Sequence, residues 1–231
     1  MVRHYSILLP FNNVQPTATV LGAARQMVGF QGYVEGAFCR QVLPIIAGEG
    51  ITLPGDYLAE FEEEGRQQAE AARLKYLELL EAKDIPLGDI DASGLRADWT
   101  EMAGFGPEAI GEYARLFDLV IVGRSVADSA VDWKTTAEAV MFDSGRPLLI
   151  VSDEIPATIG RKILLAWNGS TETARTLTGA MYILTDINEV LVVTVNGDGV
   201  SGPTGEDVCR HLKASGISSE ARSIDRGSKS T

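Results

Sequence analysis

The chain has 231 residues, 45% of them apolar and 23% charged, the balance of an ordinary globular protein and longer than one typical domain. Acidic residues number 32 against 20 basic ones, for a net charge of −12 at pH 7. That balance argues against nucleic acid or an anionic membrane as the main partner, because polyanions need a basic face, but it permits small anions held by local backbone dipoles. Two cysteines, Cys39 and Cys209, are too few for a disulfide framework and read as buried free thiols. No apolar run reaches the roughly 18 residues of a membrane span. The apolar stretch after Met1–Tyr5 stops at Pro10, too short for a signal peptide, so a cytoplasmic protein is expected.

Ile7-Leu8-Leu9, closed by Pro10-Phe11-Asn12-Asn13, reads as a buried parallel strand. Between Thr17 and Phe30, residues Val20, Leu21, Ala24, Met27 and Val28 recur at helical spacing. Tyr33 to Cys39 is a second strand, and residues 48–55 are a Gly- and Pro-bearing loop. Tyr57 to Lys83 is the clearest helix, with Tyr57, Phe61, Ala69, Leu74, Leu77 and Leu80 near one stripe and the Glu62–Glu64 acids off it. Ile90 marks a weak third strand. Pro107 opens a short helix at its favoured first position. Leu119 to Val122 is a strand ending at Gly123, Lys134 to Phe142 a helix, and Pro147 to Val151 a fifth strand. Strands alternating with helices at this rhythm imply right-handed βαβ units and a parallel sheet. A polar segment, Asp153 to Thr158, separates a first domain, 1–153, from a second, 160–231.

The second domain opens like the first. With a shift of 156, eight of the eighteen positions in 7–24 match 163–180, namely Ile7/Ile163, Leu8/Leu164, Leu9/Leu165, Asn12/Asn168, Thr17/Thr173, Ala18/Ala174, Leu21/Leu177 and Ala24/Ala180. Val34 falls on Val190 in the same register. One gapless register over strand, turn and helix is the mark of a duplicated module. The second copy continues through strand 190–195, helix 207–214 and strand 220–224, and holds nothing equivalent to strands four and five. A three-stranded remnant with one helix layer missing is expected to expose apolar surface, covered by a partner or by further chain.

The openings I-L-L-P-F-N and I-L-L-A-W-N-G-S, the ending L-V-I-V-G-R and the closing S-G-R-P-L-L-I-V resemble the universal stress protein family, in particular its tandem two-domain members. The resemblance implies an α/β fold: an open parallel five-stranded sheet, order 3-2-1-4-5, with helices on both faces, followed by a partial second copy. It implies a homodimer paired through the fifth strands, and in many members ATP or another adenine nucleotide at the strand carboxyl ends. The family's site has an Asp after strand one, a Val ending strand two, and a Gly-x-x-Gly loop after strand four, with Gly-Ser or Gly-Thr about nine residues on.

Mapped onto the first domain, Asn12 stands at the Asp position, Cys39 at the Val, and Gly123 at the first loop glycine. Val126 replaces the second glycine, and Asp128 and Asp132 occupy the phosphate region, where carboxylates repel phosphates. The first domain is therefore expected not to bind a triphosphate tightly. In the second domain, Asn168, Gly169 and Ser170 follow strand one and Val195 ends strand two, a half-site nearer the family pattern.

The reading that results is a non-catalytic cytoplasmic stress-response protein acting through dimerisation and adenine-nucleotide sensing by the second domain. One alternative is a Mg-dependent adenine-nucleotide hydrolase or kinase-like enzyme, with Asp128, Asp132 and Asp143 as metal ligands, though no Lys or Arg is placed to clamp a transferring phosphoryl group. Another is a pure scaffold that offers its Pro147–Val151 strand to a partner's edge. Gly227-Ser228-Lys229-Ser230-Thr231 lacks the spacing of a phosphate loop, and Cys209 and His211, two apart on a helix, face different directions and cannot share an ion. Trp99, Trp133 and Trp167 read as packing residues, with a base-stacking role open to Trp167 at its turn.

Overall fold

The computed structural model describes residues 5–11, 18–29, 31–43, 55–88, 93–124, 133–184, 186–195 and 201–225. The chain divides into two compact units, Met1–Ile155 and Pro156–Thr231.

The first unit runs β1 (Tyr5–Pro10), α1 (Ala18–Val28), β2 (Gly32–Gln41), α2 (Gly55–Glu81), β3 (Leu95–Gly104), α3 (Pro107–Tyr113), β4 (Leu119–Gly123), α4 (Trp133–Ala139) and β5 (Leu148–Val151). Its five strands are all parallel, in the order β3-β2-β1-β4-β5. Central strands of a sheet covered on both faces must be apolar on both. Ile7, Leu8, Leu9 and all of β4 are accordingly buried. Ser6 clips β1 to the start of β4: its N–H and hydroxyl donate to the Asp118 carboxylate at 2.9 and 3.0 Å, and the Asp118 N–H donates to the Ser6 carbonyl at 3.0 Å.

On one face, Leu8, Tyr33, Ala37, Val120 and Val122 form a core with Ile110, Ala114 and Val140, contributed by α3, α4 and the short turns that continue them. On the other lie α1 and α2. The Tyr76 hydroxyl, on α2, donates to the Val34 carbonyl at 2.9 Å, and its ring meets Phe11 edge to face and Trp99 at a tilt, at centroid distances of 5.2 and 5.6 Å. Gly36 makes room for this cluster, since a Cβ there would stand 2.8 Å from the Trp99 ring and 3.0 Å from Tyr76. A carboxylate is buried on the α3 side. Glu35, only 5% exposed, accepts from the Tyr33 hydroxyl at 2.7 Å and the Tyr113 hydroxyl at 2.6 Å.

Two sequence expectations need correction. The third strand is Leu95–Gly104, and Ile90 lies outside the described residues. An edge strand needs no continuous apolar run, and LRADWTEMAG offers none, so the search for one passes over it. The buried stripe of α2 is Ala69, Tyr76, Leu79 and Leu80, while Tyr57 and Leu74 stand about half exposed. The first turns of this helix lie in solvent, and its last turns rotate to bring the Tyr76 hydroxyl to the sheet.

The second unit runs β6 (Lys162–Ala166), α5 (Thr171–Ile183), β7 (Glu189–Val195), α6 (Gly205–Ala214) and β8 (Ser218–Ile224), as a parallel three-stranded sheet in the order β6-β7-β8. The ladder carries the repeat's own register: Ile7 pairs with Val34, and Ile163 with Val190. Leu165, Val190 and Val192 pack on Val208 and Leu212 of α6, with Leu177 and Met181 of α5 on the same core. Ile163–Leu165, however, stand on an edge strand rather than at the centre of a sheet; among the described residues no strand pairs with the outer side of β6. The opposite face bears Leu164, Val195 and Ile224, each at least half exposed.

Candidate functional site

Open parallel sheets present ligand sites where their strands end, because backbone and side chains diverge there into loops. In the second unit β6 is followed by Trp167, whose N–H extends the ladder to the Val193 carbonyl at 2.8 Å. The indole packs into the core with Leu165, Val192 and Val208, is 6% exposed, and donates its N–H to the Pro203 carbonyl at 2.8 Å. Asn168 folds the next turn on itself: its Oδ1 accepts from the Ser170 N–H at 3.0 Å and the Thr173 hydroxyl at 3.1 Å. Gly169 takes a φ of +83°, which favours glycine, and the Ser170 hydroxyl caps α5 by accepting from the Thr173 N–H at 3.3 Å. The segment entering α6 presses on this turn so closely that a Cβ on Gly202 would stand 2.3 Å from the Gly169 carbonyl oxygen.

Between that segment and the ends of β7 and β8 an open cleft of about 840 Å³ remains. Trp167, Asn168, Thr194, Gly205, Ala221 and Ser223 line it. Gly205 keeps it open on the helix side, since a Cβ there would reach 3.5 Å from both the Thr194 hydroxyl and the Ala221 methyl. Glu206, Arg222 and Asp225 are also among the lining residues, and alternation along β8 turns the Arg222 side chain to the face opposite Thr194 and Ser223. The Arg222 guanidinium is engaged by Glu220 at 2.8 Å. The N-terminus of α6 carries its own anion: Thr204 and Asp207 form a capping box, with the Thr204 N–H and hydroxyl donating to the Asp207 carboxylate at 3.0 and 2.8 Å. Those two bonds hold the Asp207 carboxyl below its ordinary range.

The structure distributes the sequence-derived site residues unevenly. Asn168 lines the cleft, whereas Gly169 and Ser170 shape the turn behind it. Val195 does not line it: side chains alternate along β7, so Val195 shares the face opposite Val192, and its neighbour Thr194 takes the cleft position. Thr204 and Ser223 were not picked out. The Thr204-Gly205-Glu206-Asp207 capping signature was legible, but which residues of β8 reach the cleft depends on strand pairing. In the first unit, Gly123 ends β4, buried, opposite Val151. Cys39 is 1% exposed in the core beneath α3, and burial pushes its thiol up against a smaller opposing effect of the Gly106 N–H. It belongs to the wall rather than to an open site. Asn12, Val126, Asp128 and Asp132 lie outside the described residues, as do His4 and 227–231. Asp143 sits on the exposed turn after α4, and among the described residues no group of three His, Cys, Asp or Glu side chains is placed to hold a metal ion. None of the described helices is long and apolar enough to cross a membrane.

No protein-family model and no curated protein matches the chain. Solved structures do. A universal stress protein from Archaeoglobus fulgidus DSM 4304 is 16% identical, with a TM-score of 0.63 over 95% of this chain and 78% of that one. The universal stress protein UspA from Lactobacillus plantarum is 18% identical over 64% of this chain and 98% of that one, with a TM-score of 0.40. A universal stress protein in complex with cAMP is 14% identical over 66% of this chain and all of that one, with a TM-score of 0.34. The first of these carries the fold: the chain has a universal-stress-protein-like α/β architecture.

Proposed function

We propose that this universal-stress-protein-like chain is a non-catalytic sensor that binds an adenine compound in the cleft of its second unit and pairs with a second copy through β5. The observation that carries the reading is the cleft itself, at the carboxyl ends of three parallel strands and walled by Trp167, Asn168 and Thr194. The second unit is read as the N-terminal half of a second copy of the module, since its β6–β7 register repeats that of β1–β2. A stress-response role and a cytoplasmic setting follow the same family analogy. Ser223, exposed and on the cleft wall, offers a test. Equilibrium dialysis of the full chain should find labelled adenosine bound at one site, and Ser223→Phe should abolish that binding with an unchanged circular dichroism spectrum. Binding that survives Ser223→Phe would place the ligand elsewhere.

Support for self-association comes from exposed apolar side chains of the first unit. Ile150 on that edge strand is 42% exposed, and Leu116 and Phe142, on turns that follow α3 and α4, are more so. Light scattering should report twice the chain mass, and Ile150→Lys should reduce it to the monomer without loss of secondary structure.

A further inference from the structure

We propose that Asn168 is a self-modifying position: in the native chain the backbone nitrogen of Gly169 attacks its side-chain amide, and the residue becomes aspartate rather than isoaspartate. Asparagine is a labile residue, most of all before glycine, which puts no side chain in the way of its own nitrogen. The sequence holds this pair at Asn168–Gly169 and again at Asn196–Gly197, the latter outside the described residues.

The turn after β6 prepares the first pair. Asn168 is exposed on the cleft wall, within reach of water and hydroxide. Its Oδ1 is fixed by the Ser170 N–H at 3.0 Å and the Thr173 hydroxyl at 3.1 Å. The hydroxyl also lies 3.0 Å from the Ser170 carbonyl, so the Ser170 N–H is the constant donor of the two. These bonds fold the side chain back over its own backbone and pass over Gly169, whose N–H has no partner among the described residues.

Hydroxide takes the proton of the Gly169 N–H, and the nitrogen bonds to the Asn168 Cγ. Negative charge collects on Oδ1, where the Ser170 N–H and the Thr173 hydroxyl stabilise it as donors stabilise any tetrahedral oxyanion. The Cγ–Nδ2 bond breaks, Nδ2 takes a proton from water and leaves as ammonia, and a cyclic imide remains. Water then opens the ring. The same donors polarise the Cγ carbonyl and direct water there, so the bond from Cγ to the Gly169 nitrogen breaks, Gly169 regains its N–H, and the new carboxyl gives its proton to solvent. Attack at the backbone carbonyl would give isoaspartate instead. In sum, one water is consumed and one ammonia released. The carboxylate inherits both donors as charge-assisted bonds and stands just before the N-terminus of α5, where negative charge is favoured. A neutral wall of the cleft thus becomes anionic as the molecule ages.

Peptide mapping of the full chain incubated at 37 °C is the test, because trypsin releases residues 163–175 with Asn168 as their sole asparagine. That peptide should gain the mass of an amide turned carboxylate, faster at pH 8.5 than at pH 7. Against synthetic standards, the aspartyl form should exceed the isoaspartyl form at least about twofold in the native chain, and the excess should vanish in urea, where the donors are lost. Thr173→Val should slow the native conversion about fivefold, less than the hundredfold or more of a buried oxyanion donor, because water reaches this one. Asn168→Asp should not lower the urea midpoint, since the turn already holds the product. No conversion in the native chain while the unfolded chain converts, an excess of isoaspartate in the native chain, a rate that Thr173→Val leaves unchanged, or a midpoint lowered by Asn168→Asp would each overturn the inference.

Discussion

Truncating Leu8 to alanine is expected to cost about 3 kcal/mol of stability, whereas Leu164→Ala changes it by no more than about 0.5 kcal/mol. The two leucines are the same residue in the same place of a repeated strand, each followed by a leucine and paired in the same register with the next strand. Leu8 is fully buried, between β2 and β4 and beneath the α3 side of the core, so its truncation leaves a cavity in close-packed surroundings. Leu164 is 65% exposed on the outer face of an edge strand and has little packing to lose. Urea denaturation of the two variants and the parent, followed by circular dichroism, measures both. A large loss from Leu164→Ala would mean that its face is covered in solution.

Removing the Glu35 carboxylate is expected to be as damaging. Glu35→Ala should cost about 3 kcal/mol, because it strips the acceptor from two tyrosine hydroxyls at once, and Glu35→Gln should recover most of that by keeping an acceptor in place. The tyrosines act as donors, so both must stay protonated. Burial, then the neighbouring Glu35 carboxylate, pushes both hydroxyls above the ordinary tyrosine range. The unfolded chain releases these protons near pH 10, while the native chain keeps them. Their contribution is therefore full below about pH 10 and falls by up to about 1.4 kcal/mol per pH unit for each retained proton above it. Denaturation midpoints at pH 7 and pH 10.5, for the parent and for Glu35→Gln, would register the loss; a midpoint unmoved between the two would show that the tyrosines titrate freely.

The alternation of strands and helices and the parallel sheet were legible because each leaves a local mark. Ile7-Leu8-Leu9 and Leu119–Val122 are short apolar runs of the kind only a doubly covered strand requires. The 156-residue shift matches strand, turn and helix in one register, and in the ladders Ile7 pairs with Val34 and Ile163 with Val190. Leu95–Gly104 left no such mark, since an edge strand is free to alternate with polar residues. The helical stripe of α2 was misplaced for a related reason. Periodicity gives the width of an apolar face, but the partner that a Tyr76 hydroxyl can reach decides which part of it turns inward.

The candidate site divides along the same line. Asn168 could be found by aligning the two openings, but Val195 and Thr194 are adjacent on one strand, and nothing local says which of them faces the helix. Strand parity relative to α6 settles it, and parity is a property of the packed sheet.

By itself, the sequence determined what nearest neighbours along the chain can encode: the alternation of strands with helices, the doubly covered strands at Ile7–Leu9 and Leu119–Val122, and that the chain is acidic. The tertiary structure alone decided that identical leucines meet opposite fates, that Cys39 lies inside a core, that a carboxylate hides between two tyrosines, and that a cleft opens at the ends of β6, β7 and β8. These depend on which distant residues are brought face to face, and burial and charge act through that proximity rather than through the order of residues along the chain.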